Sequence, residues 1–229
     1  MGSLRPQLQI MKLLFPIWPL FFLGPFAWSA DVYVEKAPPH KHCPLRGSAK
    51  AGSTKAKESA QKNRWRPPLQ INFDNTATTQ ALVQPGTDRA RWSNERAARI
   101  RGYVADVKQG TRGESCNCGA TALIDSDTHI AVVTNSNMAQ DKRTYVIVEI
   151  TPRIRKVLAA QTPPIDWSTG ALKKRLLGKR VEFEGWMFFD SPHTSQATNT
   201  HPNDPKHNNW RATCWEVHPV TSIQVLGIF

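Results

Sequence analysis

The sequence predicts a mainly β protein built on a five-stranded OB-fold barrel, with one helix between strands three and four. The order of its hydrophobic segments supports this fold class. Between residues 99 and 226, three strand-like runs come first, followed by one segment of helical period and then two more strand-like runs. That order of elements is typical of OB barrels.

The strands are predicted where Val, Ile, Tyr and Thr are frequent and the runs are bounded by Gly, Asn, Asp or Pro. A helix is predicted over residues 166–177, because Asp166 or Ser168 can cap its start and Gly178 can end it. In an OB barrel strand three neighbours strands two and five. The five predicted strands cover residues 100–108, 128–134, 144–151, 179–189 and 210–225.

The first 90 residues are predicted to lie outside the barrel. Residues 1–30 contain an apolar run that ends in small residues, which is typical of a secretory signal peptide, and Met11 is a candidate for the true start. Residues 31–90 are predicted to form a flexible basic tether, and residues 91–229 form the OB-fold domain. We therefore expect an exported protein, periplasmic or secreted, with no stable transmembrane segment after signal cleavage.

The formal net charge of +12 is concentrated near the N-terminus. Residues 1–66 carry eleven Lys or Arg and three acids, whereas residues 67–229 carry nineteen and fifteen. A basic segment can hold a protein near nucleic acid or another polyanion without sequence specificity. It can equally act as a solvated tail, so the charge does not select a partner.

The four cysteines leave their pairing open. Cys43 lies in the predicted tether, Cys116 and Cys118 precede strand two, and Cys214 lies in strand five. Thiols of exported proteins tend to pair, and a bridge from Cys116 or Cys118 to Cys214 would tie that loop to the barrel. Cys-x-Cys without a second pair is a weak zinc signal. The spacing therefore favours disulfides or free thiols over zinc.

The first candidate site lies on the outer faces of strands two, three and five. His129, Glu149, Glu216 and His218 alternate there with residues of the core. Two imidazoles and two carboxylates suit a divalent metal ion such as calcium or zinc. The alternative is that Glu149 and Glu216 form structural ion pairs with Arg or Lys.

The second candidate site is aromatic and would bind a ligand by stacking. Trp186, Phe188 and Trp210 are predicted at outward positions or beside the loop that joins the last two strands, close to Arg180 and Arg211. Aromatic rings beside cations hold bases or sugars on OB folds. The alternative is that these rings cap the barrel ends.

Two short segments carry a family resemblance. Residues 123–128, Leu-Ile-Asp-Ser-Asp-Thr, and residues 148–152, Val-Glu-Ile-Thr-Pro, resemble the Asp-Gly-Asp-Thr and Val-Asp-Thr-Pro segments of the thermonuclease-like (staphylococcal-nuclease-like) family. In that family a calcium ion held by carboxylates and two Arg side chains stabilise the charge on an attacked phosphodiester, while a Glu assists the water.

The resemblance implies that Asp127 is a metal ligand and that Arg211 is a phosphate clamp. Glu149 is the third catalytic candidate, but it stands one position before the carboxylate of the family pattern. A shift of one residue along a strand moves the side chain to the opposite face of the sheet. The catalytic motif is therefore incomplete. Residues 215–221, Trp-Glu-Val-His-Pro-Val-Thr, also resemble exported bacterial OB-like proteins, a resemblance that implies no activity.

Three functions follow from these patterns. The leading one is an exported OB-fold binding protein for an anionic ligand, either nucleic acid or polysaccharide. The second is a divergent metal-dependent nuclease or phosphodiesterase, and the third is an envelope-associated module that binds an envelope protein. Whether the chain is an enzyme stays open, because OB barrels host many unrelated functions.

Overall fold

Five strands form one closed barrel with the predicted order of elements. The computed structural model describes residues 42–86, 88–204, 206 and 208–227, so the predicted signal peptide and residues 31–41 lie outside the described residues. The strand order around the barrel is β1-β2-β3-β5-β4, and β4 closes onto β1. The strands are β1 (Ala97–Gln109), β2 (Thr128–Val133), β3 (Val146–Ile150), β4 (Arg180–Phe189) and β5 (Trp215–Gly227).

The connections contain short helices. The α-helices are α1 (Thr54–Lys62), α2 (Thr79–Leu82), α3 (Pro152–Ala159) and α4 (Thr169–Leu176). Single 3₁₀ turns are Gln70–Asn72, Ser115–Asn117, Leu123–Asp125, Ser136–Met138, Lys142–Thr144 and Ser191–Gln196. Among the described residues, no helix is long and apolar enough to cross a membrane.

Alternating side chains of the strands fill the barrel. Ile130 of β2, Val148 of β3, Phe183 of β4 and Val217 of β5 are fully buried and belong to one hydrophobic cluster. Strand β3 pairs antiparallel with β2 and parallel with β5, so the predicted neighbours of strand three are confirmed. Residues between these core positions point to the outer face of the barrel.

Two helices, rather than the single predicted one, connect β3 to β4. The predicted helix corresponds to α4, where Ser168 Oγ accepts a hydrogen bond from the backbone N–H of Ala171. The additional helix α3 begins at Pro152, with Thr151 as its N-cap. Pro at the first helical position after a Thr cap is a recognised signal for the start of a helix. Thr151 and Pro152 also belong to the segment that carries the family resemblance.

The described part of the predicted tether is structured and packs on the barrel. Helix α1 lies in this segment, and Cys43, Ala56 and Trp65 are buried. The composition predicted a flexible tether because large apolar residues are scarce in this segment. A disulfide and hydrogen bonds nevertheless attach the segment to the barrel. Asn63 Nδ2 donates to the carbonyl oxygen of Cys116 at 2.7 Å.

The disulfide joins Cys43 to Cys118, across 75 positions of sequence. Cys116 and Cys214 are buried free thiols. The predicted bridge from Cys116 or Cys118 to Cys214 is therefore not formed. Cys214 immediately precedes β5, and its thiol contacts Thr200 Oγ1 at 3.6 Å, whereas the loop that holds Cys118 faces the N-terminal segment.

Removing the disulfide should destabilise the fold. We expect the double variant Cys43→Ser, Cys118→Ser to lose about 2–4 kcal/mol of unfolding free energy, because a long loop is no longer closed in the unfolded chain. Urea unfolding measures this loss. A reductant should destabilise the native protein to the same extent and leave the variant unchanged; equal stability of variant and native protein contradicts the prediction.

Candidate functional site

The barrel brings the four predicted metal ligands together. His129 and Glu149 face each other directly in the β2–β3 ladder, and Glu216 and His218 lie on β5, the other neighbour of β3. Asp127, implicated by the family resemblance, immediately precedes β2. These residues form what we term the carboxylate–imidazole cluster: Asp127, His129, Glu149, Glu216 and His218.

His218 lies at the centre of the carboxylate–imidazole cluster. Its Nδ1 is 3.3 Å from Oε2 of Glu216 and 3.3 Å from Oε2 of Glu149, and its Nε2 is 3.7 Å from Oδ2 of Asp127. The Nε2 of His129 is 3.2 Å from the same Glu149 oxygen. Three strands and one loop therefore contribute side chains to a single contact network.

The cluster is buried, although the alternation of the strands had suggested an exposed surface patch. Asp127, Glu216 and His218 are each 0% exposed, and Glu149 is 3% exposed. The outer face of β2, β3 and β5 is covered because helix α1 and the loop between β1 and β2 pack over it. Lys62, the last residue of α1, interacts electrostatically with Glu149 and Glu216.

Arg211 neutralises one side of the cluster and is not available as a phosphate clamp. Its Nη2 donates to Glu216 at 2.7 Å and its Nη1 donates to Asp190 at 3.1 Å. The guanidinium is fully buried and also donates to the carbonyl oxygen of Thr213. Burial acts to raise the pKa of Glu216, but Arg211, His218 and Lys62 together outweigh burial and hold that pKa well below its usual range.

The remaining cluster residues shift one another's ionisation. Burial acts to lower the pKa of His129, but the adjacent Glu149 carboxylate raises it to about 9. Burial acts to raise the pKa of Glu149, but His129 and His218 together outweigh burial and lower that pKa. The pKa of Asp127 is raised by burial. Burial and the neighbouring charges therefore shift the pKa values of the carboxyl and imidazole groups of this cluster together.

One buried polar atom of the cluster is unsatisfied. Among the described residues, Nε2 of His218 has no hydrogen-bond partner, whereas Nε2 of His129 and Oε2 of Glu149 lie 3.2 Å apart as an ion contact. Buried polar atoms of native proteins almost always have a partner, so each exception needs an explanation such as an absent ion or water. Ligand atoms of Asp127, Glu149 and His218 lie within 4.8 Å of one another, close enough for one metal ion. We term these three residues the trio.

A cavity of about 290 Å³ borders the cluster. Lys55 and Lys62 of α1 line one side, and His129 and Glu149 line another. Cavity-lining residues on the loops are Thr111, Glu114, Ser115, Cys116, Asp190, Pro192 and His193. In OB folds the ligand face lies on strands two and three between the loops that follow strands one and four. The cavity occupies the corresponding place in this barrel.

The predicted aromatic site is not assembled on one surface. Phe188 is 1% exposed and lies beneath Lys62, and Arg211 is fully buried. Trp186 is half-buried, and its Nε1 donates to the carbonyl oxygen of Arg66. Trp210 packs against Lys108 on another part of the barrel. Arg180 lies in a separate groove with Arg99 and Arg101.

Sequence reasoning missed Lys62, Asp190 and Glu114. Lys62 lay in the predicted tether, and Glu114 lay in a loop that had been considered only for its cysteines. Asp190 directly follows β4 and is 2% exposed, with its Oδ1 at 3.8 Å from Lys62 Nζ. No local pattern in the sequence marks these residues, because their contacts depend on how α1 packs on the barrel.

Comparisons with known proteins were made at three levels. No family model, no curated protein and no solved structure matches the chain. What the structure shares with the predicted fold is the closed five-stranded barrel with helices between β3 and β4. A functional proposal must therefore be argued from the geometry of the site.

Arg211 should be essential for stability. We expect Arg211→Met to lower the free energy of unfolding by about 3–5 kcal/mol, since it leaves two buried carboxylates without their main counter-charge. Denaturant unfolding measures the loss. The matched control is Arg180→Met at the exposed start of β4, which should change stability by less than about 0.5 kcal/mol. Equal effects of the two substitutions contradict this role.

Proposed function

We propose that this chain is an exported OB-like protein that binds an anionic ligand through a divalent cation held by the trio. The observation that carries the proposal is the convergence of Asp127, Glu149 and His218 on a point next to the cavity. Buried carboxylates disfavour an anionic ligand by themselves. A cation at the trio offsets their charge and provides a positive centre for a phosphate, sulfate or carboxylate group.

The donor set favours zinc over calcium. Calcium takes six to eight oxygen ligands, whereas the trio offers one imidazole and two carboxylates. Zinc accepts His and carboxylate ligands at about 2.0–2.2 Å, which separates neighbouring ligand atoms by roughly 3.5 Å in a tetrahedron. The 3.7 Å distance between His218 Nε2 and Asp127 Oδ2 is close to that value. The calcium implied by the family resemblance fits this chain less well.

The surroundings of the trio support an anionic ligand. Lys55 and Lys62 line the same cavity as Glu149, together with the acids Glu114 and Asp190. The two lysine side chains can hold the outer oxygens of a ligand whose nearest oxygen contacts the metal. Nucleic acid and acidic polysaccharide both present such groups, and both remain candidates for the ligand.

Export is supported by two separate features. Residues 1–30 have the signal-peptide pattern, and the Cys43–Cys118 disulfide attaches the N-terminal segment to the barrel. Disulfides form and persist mainly in oxidising compartments such as the periplasm or the extracellular space. The disulfide lies in the loop that borders the site, so an oxidising environment also preserves the site.

Metal-dependent binding tests the proposal directly. The full chain is titrated with labelled single-stranded DNA, RNA and a sulfated polysaccharide, with EDTA or with Zn²⁺, Mg²⁺ or Ca²⁺. We expect Zn²⁺ to strengthen binding of at least one probe, and Asp127→Asn to weaken the metal-dependent binding at least about tenfold.

The matched control for that test is Asp141→Asn. Asp141 is a more exposed carboxylate that pairs with Arg143 away from the cluster, so this variant should bind as the native protein does. Binding that is independent of metal, or that weakens equally in both variants, contradicts the proposal. Circular dichroism of each variant excludes unfolding as the cause.

Phosphodiester hydrolysis is the second candidate function. The specific observation in its favour is that Glu149, a carboxylate of the trio, lines the cavity, so a phosphodiester bound in the cavity would lie next to the proposed metal site. Gel analysis of the same DNA and RNA samples separates the two functions. Shortened strands that form only with metal, and not with Asp127→Asn, indicate hydrolysis; intact strands indicate binding alone.

A further inference from the structure

Asp190 and His193 form a pair of titratable residues at the end of β4, outside the carboxylate–imidazole cluster. Asp190 directly follows β4, and His193 lies in the 3₁₀ turn Ser191–Gln196. Nδ1 of His193 is hydrogen-bonded to Oδ2 of Asp190, and the backbone N–H of His193 donates to the Asp190 carbonyl oxygen at 3.1 Å. Both residues line the cavity that Glu149 also lines. The pair therefore lies beside the same cavity as the trio.

Charge balance does not explain why an imidazole lies beside Asp190. The carboxylate is 2% exposed and already has two cationic neighbours. Nη1 of Arg211 donates to its Oδ2 at 3.1 Å, and Nζ of Lys62 is 3.8 Å from its Oδ1. These two side chains compensate the buried charge, so a neutral His193 is compatible with the carboxylate.

The orientation of the His193 ring is fixed by its neighbours. Asp190 holds Nδ1, and the ring of Trp210 lies perpendicular to the imidazole with the two centroids 5.5 Å apart. The turn itself is attached to α1, because Oγ of Ser191 donates to Oε1 of Glu58 at 3.2 Å. Functional side chains need such supporting contacts to hold a productive geometry. His193 is thus presented to the cavity in one orientation.

The hydrogen bond with Asp190 leaves one ring nitrogen of His193 for the cavity. An ionised carboxylate only accepts hydrogen bonds, so a neutral His193 carries its hydrogen on Nδ1 and has a lone pair on Nε2. Nε2 has no hydrogen-bond partner among the described residues, and 36% of the side chain is exposed. A histidine that a carboxylate holds in this way can take a proton at its other nitrogen and act as a general base.

We propose that His193 is the general base of phosphodiester hydrolysis in this cavity and that Asp190 is its positioning residue. This inference rests on the proposed function, because that function places an anionic phosphate group beside the trio. Nε2 of His193 takes a proton from a water molecule whose oxygen forms a bond to phosphorus. The bond from phosphorus to the leaving oxygen breaks, and the leaving oxygen takes a proton from solvent. The imidazolium group beside Asp190 then returns its proton to solvent.

Hydrolysis of bis(4-nitrophenyl) phosphate by the full chain with Zn²⁺ tests the role of His193. The 4-nitrophenolate leaving group needs no proton, so its release reports on the activation of water. We expect His193→Ala to lower kcat at least about 100-fold while KM stays within about threefold of the native value. Imidazole added to the solution should restore part of the lost kcat, because it can enter the space of the deleted ring. A purely structural role of His193 would not respond to imidazole.

The matched control for this test is His201→Ala. His201 is an exposed histidine of the same connection between β4 and β5 and does not line this cavity. This variant should keep the native kcat and should not respond to imidazole. His193→Gln retains a polar side chain, so it keeps the test decisive even if His193→Ala fails to fold. We expect the same loss of kcat in His193→Gln, without rescue by imidazole.

Nitrogen-15 NMR of the native chain tests the orientation of the ring without relying on activity. Comparison with the spectrum of His193→Gln assigns the ring signals of His193. We expect the neutral ring to carry its hydrogen on Nδ1, because the Asp190 carboxylate accepts it. Hydrogen on Nε2 overturns the inference, since the lone pair then faces Asp190 instead of the cavity.

Failure of this inference is distinguishable from failure of the proposed function. A native chain that binds nucleic acid with Zn²⁺ but hydrolyses neither bis(4-nitrophenyl) phosphate nor the DNA and RNA probes overturns the inference and leaves the proposed function intact. Equal kcat in His193→Ala and the native chain does the same. Hydrolysis that is lost in His193→Ala but unaffected by EDTA and by Asp127→Asn supports the role of His193 and overturns the cation of the proposed function.

Discussion

Burial of ionisable side chains on the outer face of β2, β3 and β5 is the constraint on which the rest of the structure depends. Transferring carboxylates from water into a protein interior costs several kcal/mol each unless counter-charges accompany them. Arg211 supplies a counter-charge to Glu216 and Asp190, and Lys62 approaches Asp190 from α1. The imidazole of His218 lies between the remaining carboxylates. The polar network thus determines how α1 and the loops fit over the barrel.

The N-terminal segment covers the face that an open OB barrel would offer to a ligand. The Cys43–Cys118 disulfide and the hydrogen bond from Asn63 hold this cover in place, and a cavity of about 290 Å³ lies beside it. Burial of the cluster lowers the effective dielectric constant and strengthens the electrostatic interactions within it. This architecture suits a small anionic group next to a cation better than a row of stacked bases, for which an exposed aromatic surface is required.

The barrel could be predicted from sequence because its signals are local. Val, Ile and Thr are concentrated in residues 128–134 and 144–151, and the two-residue period of a strand with Ile130 and Val148 inside also placed His129 and Glu149 on the outer face. Their burial could not be predicted, since it depends on a segment of small and basic residues more than fifty positions away. Helix α3 was missed although Thr151 and Pro152 form a start signal. The burial of Phe188 could not be predicted either, because strand alternation does not tell an open face from a covered one.

Anomalous X-ray diffraction from crystals of the full chain grown with Zn²⁺ would show whether the trio holds a cation. We expect an anomalous peak bounded by Asp127, Glu149 and His218, with the imidazole Nε2 as a ligand. A structure without a peak at this position, in which His218 keeps its present ion contacts while Zn²⁺ binds elsewhere, would contradict this expectation. The cluster would then be a structural ion network, and the cavity would need another explanation.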